Sequence, residues 1–402
     1  MTPTSTFTWL DHNDEHQQRV REALAAFDSP DIVDPLGLGV VRDAFSDMLF
    51  PGVSTIQTRA RYFVLVPWVY RRLIRDRVSS QQGDRRARDL EIAVTEALLR
   101  GSASHEGIIG RYARAAIKQL PSLVYWGGLG TWGIRRFDGT RHEYIASLDA
   151  FRDTRLARDE EVTPAHEGSL WPGLPEEPPD LLETATLSLT TEEAEYLRDR
   201  AIRATQGSYL SLLLRDGTPS QHGDEPWTHP LALTAPPEVR EHLRHARLFA
   251  HAVRGAELLY NDELFRLLRA DGGEPGITDY ASLVEAWAGR MEELRDDYQA
   301  WDRNGFWETV LRRNPRAGAS RPFIDWWLDV ATGAPDRVTT AADVRRRLAE
   351  REQRVKGARA KLTNRRARES SPAAHGGSLM SFRWPQAQRI ILDIHEGLEP
   401  HA

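Results

Sequence analysis

The stretch from Leu36 to Leu73, LGLGVVRDAFSDMLFPGVSTIQTRARYFVLVPWVYRRL, constrains this chain more than any other part of it. It holds two amphipathic segments, a Pro-Gly break and an arginine cluster. Pro35, Gly37 and Gly39 make a turn that frees the chain to begin a helix near Val40. Val41, Phe45, Met48 and Leu49 then recur at helical spacing. Asp43 and Asp47 are one helical turn apart, so both carboxylates share a face. Phe50-Pro51-Gly52 ends that helix, and Ser54 or Thr55 is the expected cap of the next. The second helix is expected to carry Ala60, Phe63, Val64, Val69 and Leu73. Pro67 inside it removes a hydrogen bond, which predicts a kink near Phe63.

Arg59 and Arg61 fall in the first turns of this second helix. Cations oppose the helix dipole there unless an anion compensates. Two guanidinium groups beside exposed backbone N–H groups would suit a phosphate. Asp43 and Asp47, encoded close by, offer the alternative of an internal ion-pair network between the two helices.

The run VRDAFSDMLFPGVSTIQTRARYFVLVPWVY, from Val41 to Tyr70, resembles the motif of a bacterial family, domain of unknown function 6361. LWPGLPEEPPD (170–180), LSLTTEEAEYLRDR (187–200), RGAELLYN (254–261) and SFRWPQAQRIILDIHEGL (381–398) fit the same pattern, so the resemblance spans nearly the whole chain. It implies a component of bacterial gene clusters, phage-defence clusters among them. It assigns no catalytic residue.

With 402 residues the chain is long enough for two or three domains. The absence of cysteine excludes disulfides, thiolate metal sites and cysteine nucleophiles. No basic region followed by an apolar core opens the chain, and the longest apolar run, Tyr62 to Tyr70, is too short to span a bilayer. The expectation is a cytoplasmic protein with no membrane partner. Only Lys118, Lys356 and Lys361 are lysines among 53 basic residues, a bias that a GC-rich genome explains, so arginine number alone argues nothing. The net charge of −6 does not point to nucleic acid either, but the charges are unevenly spread.

Asp159 through Glu193 holds ten carboxylates and no lysine or arginine, with five prolines, and reads as a linker or surface loop. Residues 345–368 hold eleven lysines and arginines against Glu350 and Glu352. The acidic loop could therefore lie across the basic segment. Within that segment, Thr340 with Asp343 resembles a capping box, and Val344, Leu348, Arg351, Val355, Ala358 and Leu362 form a narrow seam. Gly357 is expected to bend the helix. Arg354, Lys356, Arg359, Lys361, Arg365 and Arg366, together with Arg59 and Arg61, are the candidate phosphate contacts.

Further helices are predicted over 14–27, 84–100, 106–120, 240–269 and 323–330, from Thr278 past Met291, and over 385–397. Thr190 and Glu193 make a capping box. Short strands are predicted near 122–126 and 184–189, with no regular β-α alternation. The fold class is mainly α: a multi-helical globular protein with a few short strands and Pro-rich surface loops. The domain reading is an N-terminal helical domain over 1–158, a linker over 159–183, a second helical domain over 184–369, and a loop with a docking helix over 370–402.

Several chemistries fail on pattern. Gly128-Leu129-Gly130-Thr131-Trp132-Gly133 has the letters of a dinucleotide fingerprint without its strand and helix. His242 and His245 lack a third metal ligand. No phosphate-loop lysine, HExxH or GxSxG is present. No cofactor is implied. Phe382-Arg383-Trp384 could stack on a base, although the tryptophans read mainly as core. Three functions remain. The first is a non-catalytic subunit or adaptor contacting DNA, RNA or partner proteins. The second is a hydrolase or nuclease with an acid-based site at Asp43 and Asp47. The third is a pure protein scaffold.

Overall fold

Asp34 starts the first helix by accepting from the Leu38 and Gly39 backbone N–H groups at 2.9 and 2.6 Å. These donors have no intrahelical partner, so a carboxylate is well placed there. In the computed structural model, which describes residues 34–151, 170–370, 374 and 376–399, the chain is built from helices and turns. In chain order these are α1 (Gly39–Leu49), α2 (Tyr62–Arg75), α3 (Ser80–Gly101), α4 (Pro121–Thr131), α5 (Arg141–Ala146) and α6 (Thr191–Ala204). Then come α7 (Tyr209–Asp216), α8 (Leu231–Thr234), α9 (Pro237–Ala270), α10 (Tyr280–Glu293) and α11 (Arg295–Gln299). The last five are α12 (Arg303–Arg313), α13 (Arg321–Gly333), α14 (Ala342–Lys356), α15 (Arg365–Ser370) and α16 (Trp384–Leu398). The fold is mainly α.

The expected strands do not form among the described residues. Residues 122–126 lie in α4, which opens with Pro121, and 184–189 are irregular. Val124, Tyr125 and Trp126 suit a strand by type, but here their side chains are buried from a helix, and packing overrides that preference. The helix expected over 106–120 is also absent. Gly107 and Gly110 sit at φ +79° and +82°, left-handed values that a right-handed helix excludes, and only Arg114–Ala116 makes a short 3₁₀ turn. The helix expected over 14–27 lies outside the described residues.

Two compact units divide the chain. One takes the described residues of Met1–Val40, with His251–Ala300 and Arg316–Leu379. The other takes Val41–Ala250, Trp301–Pro315 and Met380–Ala402.

In the second of these, aromatic rings pack against one another in the core. Phe63 of α2 stacks on Trp132 with ring centres 4.1 Å apart, and Tyr125 packs edge-on against Phe63 at 5.0 Å. Each buried aromatic with a polar end uses it: Trp132 donates to the Pro51 carbonyl at 2.9 Å, and the Tyr62 hydroxyl accepts from Ile109 N–H at 2.8 Å. Helices α6, α7 and α16 pack together. Gly397 of α16 lets this approach close: a Cβ there would stand 2.9 Å from the Cβ atoms of both Ala194 and Leu189.

In the first unit, Gly255 of α9 lies under the Trp287 ring, where a Cβ would come within 2.2 Å. The Trp287 and Trp327 indoles stack at 5.8 Å and donate to the His251 and Ala252 carbonyls at 2.7 and 2.8 Å. The basic segment stops as a helix at Gly357, whose φ of +57° ends α14 instead of bending it. The expected Thr340–Asp343 cap is not made; Ala341 is the N-cap and no side chain caps it. Among the described residues no helix is long and apolar enough to cross a membrane.

Candidate functional site

The arginine cluster ahead of α2 is a fastening. The loop from Pro51 to Arg61 is shaped first by Gln57, whose amide accepts from Ser54 N–H at 3.2 Å and donates to the Gly52 carbonyl at 3.1 Å. Ser54 and Thr55 therefore do not cap α2, which begins only at Tyr62, with Arg61 as its N-cap residue. The Tyr125 hydroxyl then accepts from the Thr58 and Arg59 N–H groups at 2.8 and 3.0 Å and donates to the Arg59 carbonyl at 2.9 Å. Burial pushes this phenol up to about 12.

The anions that compensate Arg59 and Arg61 are not the expected ones. Asp393, 1% exposed, accepts from Arg59 Nε with both oxygens and from Ala60 N–H at 2.8 Å. Glu193 takes Arg61 at 3.0 and 2.8 Å, and the Arg61 Nη1 donates to the Thr186 carbonyl at 2.8 Å. Glu193 also closes the capping box with Thr190, accepting its N–H at 3.1 Å. Carboxylates at a helix start suit the dipole, and these reach it from α16 and α6. Asp43 and Asp47, expected as the partners, pair elsewhere: Asp43 accepts from its neighbour Arg42 Nε at 3.0 Å, and the face of α1 that carries Asp47 meets residues brought from far along the chain.

Those residues are Arg383 and Arg313. Arg383 Nη1 donates to Asp47 Oδ1 at 2.7 Å and to the Val53 carbonyl at 2.9 Å, and its Nη2 stands 3.9 Å from Asp43 Oδ1. Arg313 Nη2 donates to Asp47 Oδ2 at 3.1 Å. Both Asp47 oxygens thus accept a charge-assisted hydrogen bond. Arg383 is aimed by strain: it and Phe382 sit at φ +67° and +52°, left-handed values that cost non-glycine residues of order 1–3 kcal/mol each. Phe382, fully buried edge-on against Phe45, and Trp384, buried against Phe50, hold the backbone in place.

Asp47, Arg313 and Arg383 line a cavity of about 260 Å³ with Ser54, Gln57 and Gly127 and Gly128 of α4. The Ser54 hydroxyl is buried there without a hydrogen-bond partner. Gly128, the first glycine of the fingerprint, is part of this wall: a Cβ on it would stand 2.5 Å from the Gly52 carbonyl, so α4 and the Pro51–Arg61 loop touch backbone to backbone. Among the described residues, no three histidine or carboxylate side chains are grouped to hold a metal.

The chain belongs to the family of unknown function DUF6361. The family model matches residues 4–397, which takes in every residue of this cavity and both arginine fastenings. No curated protein and no solved structure matches the chain.

The basic segment splits into an inner and an outer set. Arg351 is buried, donates to the Leu36 carbonyl at 2.8 Å and to Ser320 Oγ at 2.9 Å, and lies over the Phe323 ring. Arg368 is buried against Asp271 at 2.6 Å. Lys356 and Lys361 are both buried, and burial lowers Lys361 to about 8. Buried Glu352 accepts from the Tyr260 hydroxyl at 2.7 Å and from the Lys361 and Leu362 N–H groups at 2.8 Å each. Arg354, Arg359, Arg365 and Arg366 remain exposed. Arg365 is shared with Glu369 at 2.7 Å and Asp271 at 3.8 Å. The described part of the acidic loop pairs with α2: Glu177 takes Arg72 at 2.9 Å and also Arg75, and Glu176 faces Arg71 at 3.6 Å.

Sequence reasoning singled out Asp43, Asp47, Arg59 and Arg61, missed Asp393, Arg313 and Gln57, and read Glu193 and Ser54 only as helix caps. It noticed Arg383 only as a neighbour of aromatics. The one local signal was the TIQ tripeptide after Pro-Gly, where an amide three residues past a serine can close a turn on itself.

Proposed function

We propose that this protein is a non-catalytic subunit that contacts nucleic-acid phosphates through the outer arginines Arg354, Arg359, Arg365 and Arg366, and serves as an adaptor in a multi-protein assembly of the bacterial cytoplasm. The observation that carries the reading is the sorting of the basic segment. Arg351, Arg368, Lys356 and Lys361 are buried, while these four arginines stay at the surface. Arg59 and Arg61 are taken up by Asp393 and Glu193 and drop out of the contact set. A phosphate backbone is the partner that suits a run of exposed guanidinium groups without a shaped pocket.

The engagement of Asp47 by two arginines speaks against the acid-based alternative, since both its oxygens already accept. One observation keeps that alternative worth testing: Asp47 and the unpartnered Ser54 hydroxyl line one cavity. The deciding experiment is a titration of the protein with labelled duplex DNA and single-stranded RNA at 50 and 200 mM salt. Four phosphate contacts give a roughly hundredfold loss of duplex affinity over that range. No binding at the lower salt refutes the reading and leaves the protein scaffold. Hydrolysis of either strand that is lost in Asp47→Asn would establish the enzyme reading instead.

A further inference from the structure

The two arginines of the cavity beside α1 supply more charge than Asp47 requires. Arg383 Nη1 alone meets both Asp47 and the Val53 carbonyl, which pins the chain at Arg383 and neutralises the carboxylate. Arg313 brings a second guanidinium to the same carboxylate and makes no other hydrogen bond among the described residues. Asp43 does not balance it: that carboxylate stands 3.9 Å from Arg383 Nη2 and already takes Arg42 Nε at 3.0 Å. The cavity lining therefore carries two guanidinium groups against one carboxylate.

A guanidinium has five N–H donors. Arg313 commits only Nη2 and Arg383 only Nη1. The Nε atoms of both, with Arg313 Nη1 and Arg383 Nη2, make no hydrogen bond among the described residues. Nor are these groups sealed in the core. The Arg313 side chain is 51% exposed and that of Arg383 17%. The left-handed backbone at Phe382 and Arg383 points the same way, because strain of this kind persists where a side chain has to be held in one place. The rest of the wall is different in kind: Pro51, Val53 and Val124 are apolar, and Gly127 and Gly128 add no side chain.

We propose that this cavity binds a small monocarboxylate with an apolar body, its carboxylate held by Arg313 and Arg383. Guanidinium groups match the two oxygens of a carboxylate and give charge-assisted hydrogen bonds. The surplus of one positive charge in the lining sets the charge of the ligand. A phosphate monoester, at about −1.5 to −2 near pH 7, would press uncompensated negative charge against Asp47. A neutral amide would leave the surplus unanswered. Pro51, Val53 and Val124 suit a hydrocarbon body, which gains by leaving water. At about 260 Å³ the cavity is smaller than the sites of roughly 300 Å³ and above that hold drug-sized ligands, so the ligand is small. This inference is independent of the nucleic-acid contact proposed above, whose arginines belong to the other unit.

Isothermal titration of the full-length protein with isovalerate and benzoate tests it, with isovaleramide, benzamide and inorganic phosphate as comparisons. At least one carboxylate is expected to bind saturably, and its amide roughly tenfold more weakly or worse. Arg313→Gln should lower the carboxylate affinity by roughly tenfold or more, the effect of a lost hydrogen bond to a charged group. Thermal unfolding checks that this variant, changed at a half-exposed side chain, is folded, and the comparison of acid with amide needs no variant. Failure of both carboxylates to bind overturns the proposal. So does equal binding of acid and amide, tighter binding of phosphate, or an affinity unchanged in folded Arg313→Gln.

Discussion

Arg59 Nε donates to both oxygens of Asp393, at 3.0 and 2.9 Å, joining the start of α2 to α16 across 334 positions of the chain. The same carboxylate accepts from Ala60 N–H and from Arg389 at 2.6 Å. Asp393→Ala leaves the half-buried Arg59 guanidinium and the buried Ala60 N–H without their partner. The expected loss is about 3–5 kcal/mol in urea unfolding, the range for breaking a buried pair from one side. A loss below 1 kcal/mol would mean that water replaces the carboxylate.

Gly127 and Gly128 are adjacent on α4 and make a sharper comparison. A Cβ on Gly127 meets nothing within 4 Å, whereas one on Gly128 meets the Gly52 carbonyl at 2.5 Å and Phe63 at 2.8 Å. Gly127→Ala is expected to stabilise by about 0.4–1 kcal/mol through helix propensity. Gly128→Ala is expected to destabilise by about 1–3 kcal/mol, because backbone must move. Thermal unfolding of the two variants measures both signs.

His245 is a pH-dependent element. The Trp301 indole donates to its Nδ1 at 2.8 Å, so this nitrogen cannot carry a proton while the bond stands. Burial first, then nearby His242 and Arg244, hold it down to about 4, although Nε2 stands 3.5 Å from Glu241. The unfolded chain binds this proton at about 6.5, so between pH 6.5 and 4 unfolding takes up a proton that the native state does not hold. Stability therefore falls as the pH is lowered through that window, by roughly 3 kcal/mol in total from this group. Urea unfolding of His245→Gln at several pH values should show that part of the slope removed.

Glu91 has the opposite sign. Burial raises its pKa against the opposing hydrogen bonds from Ser122 N–H and Oγ, each at 2.8 Å. The native state holds the proton more tightly than the unfolded chain, so stability falls as pH rises from the ordinary glutamate value of about 4.3 to the raised one. Glu91→Gln should flatten this decline, read in the same unfolding series.

Local features were legible in the sequence because their partners are local. The Thr190–Glu193 capping box and the shared face of Asp43 and Asp47 both follow from spacing within one turn. What Glu193 does besides capping was not legible, since its partner Arg61 lies 132 positions earlier. The expected helix over 106–120 misled: it runs through Gly107 and Gly110, yet both are left-handed. The same holds for charge. The basic character of residues 345–368 was visible, but burial of Arg351, Lys356, Lys361 and Arg368 depends on Leu36, Glu352 and Asp271, which composition does not connect to them. The two units are each discontinuous in sequence, and prolines and charge runs mark loops, not such returns of the chain.

The most direct measurement compares two variants for duplex and single-strand affinity and for thermal stability. In Arg354/Arg359/Arg365/Arg366→Glu, nucleic-acid binding at 50 mM salt should vanish while the melting temperature stays near that of the wild type. In Arg61→Ala, stability should drop by about 3–5 kcal/mol, while the protein still folded at low temperature keeps its affinity and salt dependence. Unchanged binding in the fourfold variant, or affinity lost through Arg61 in a folded protein, would contradict the division into outer arginines that bind and inner ones that hold the fold.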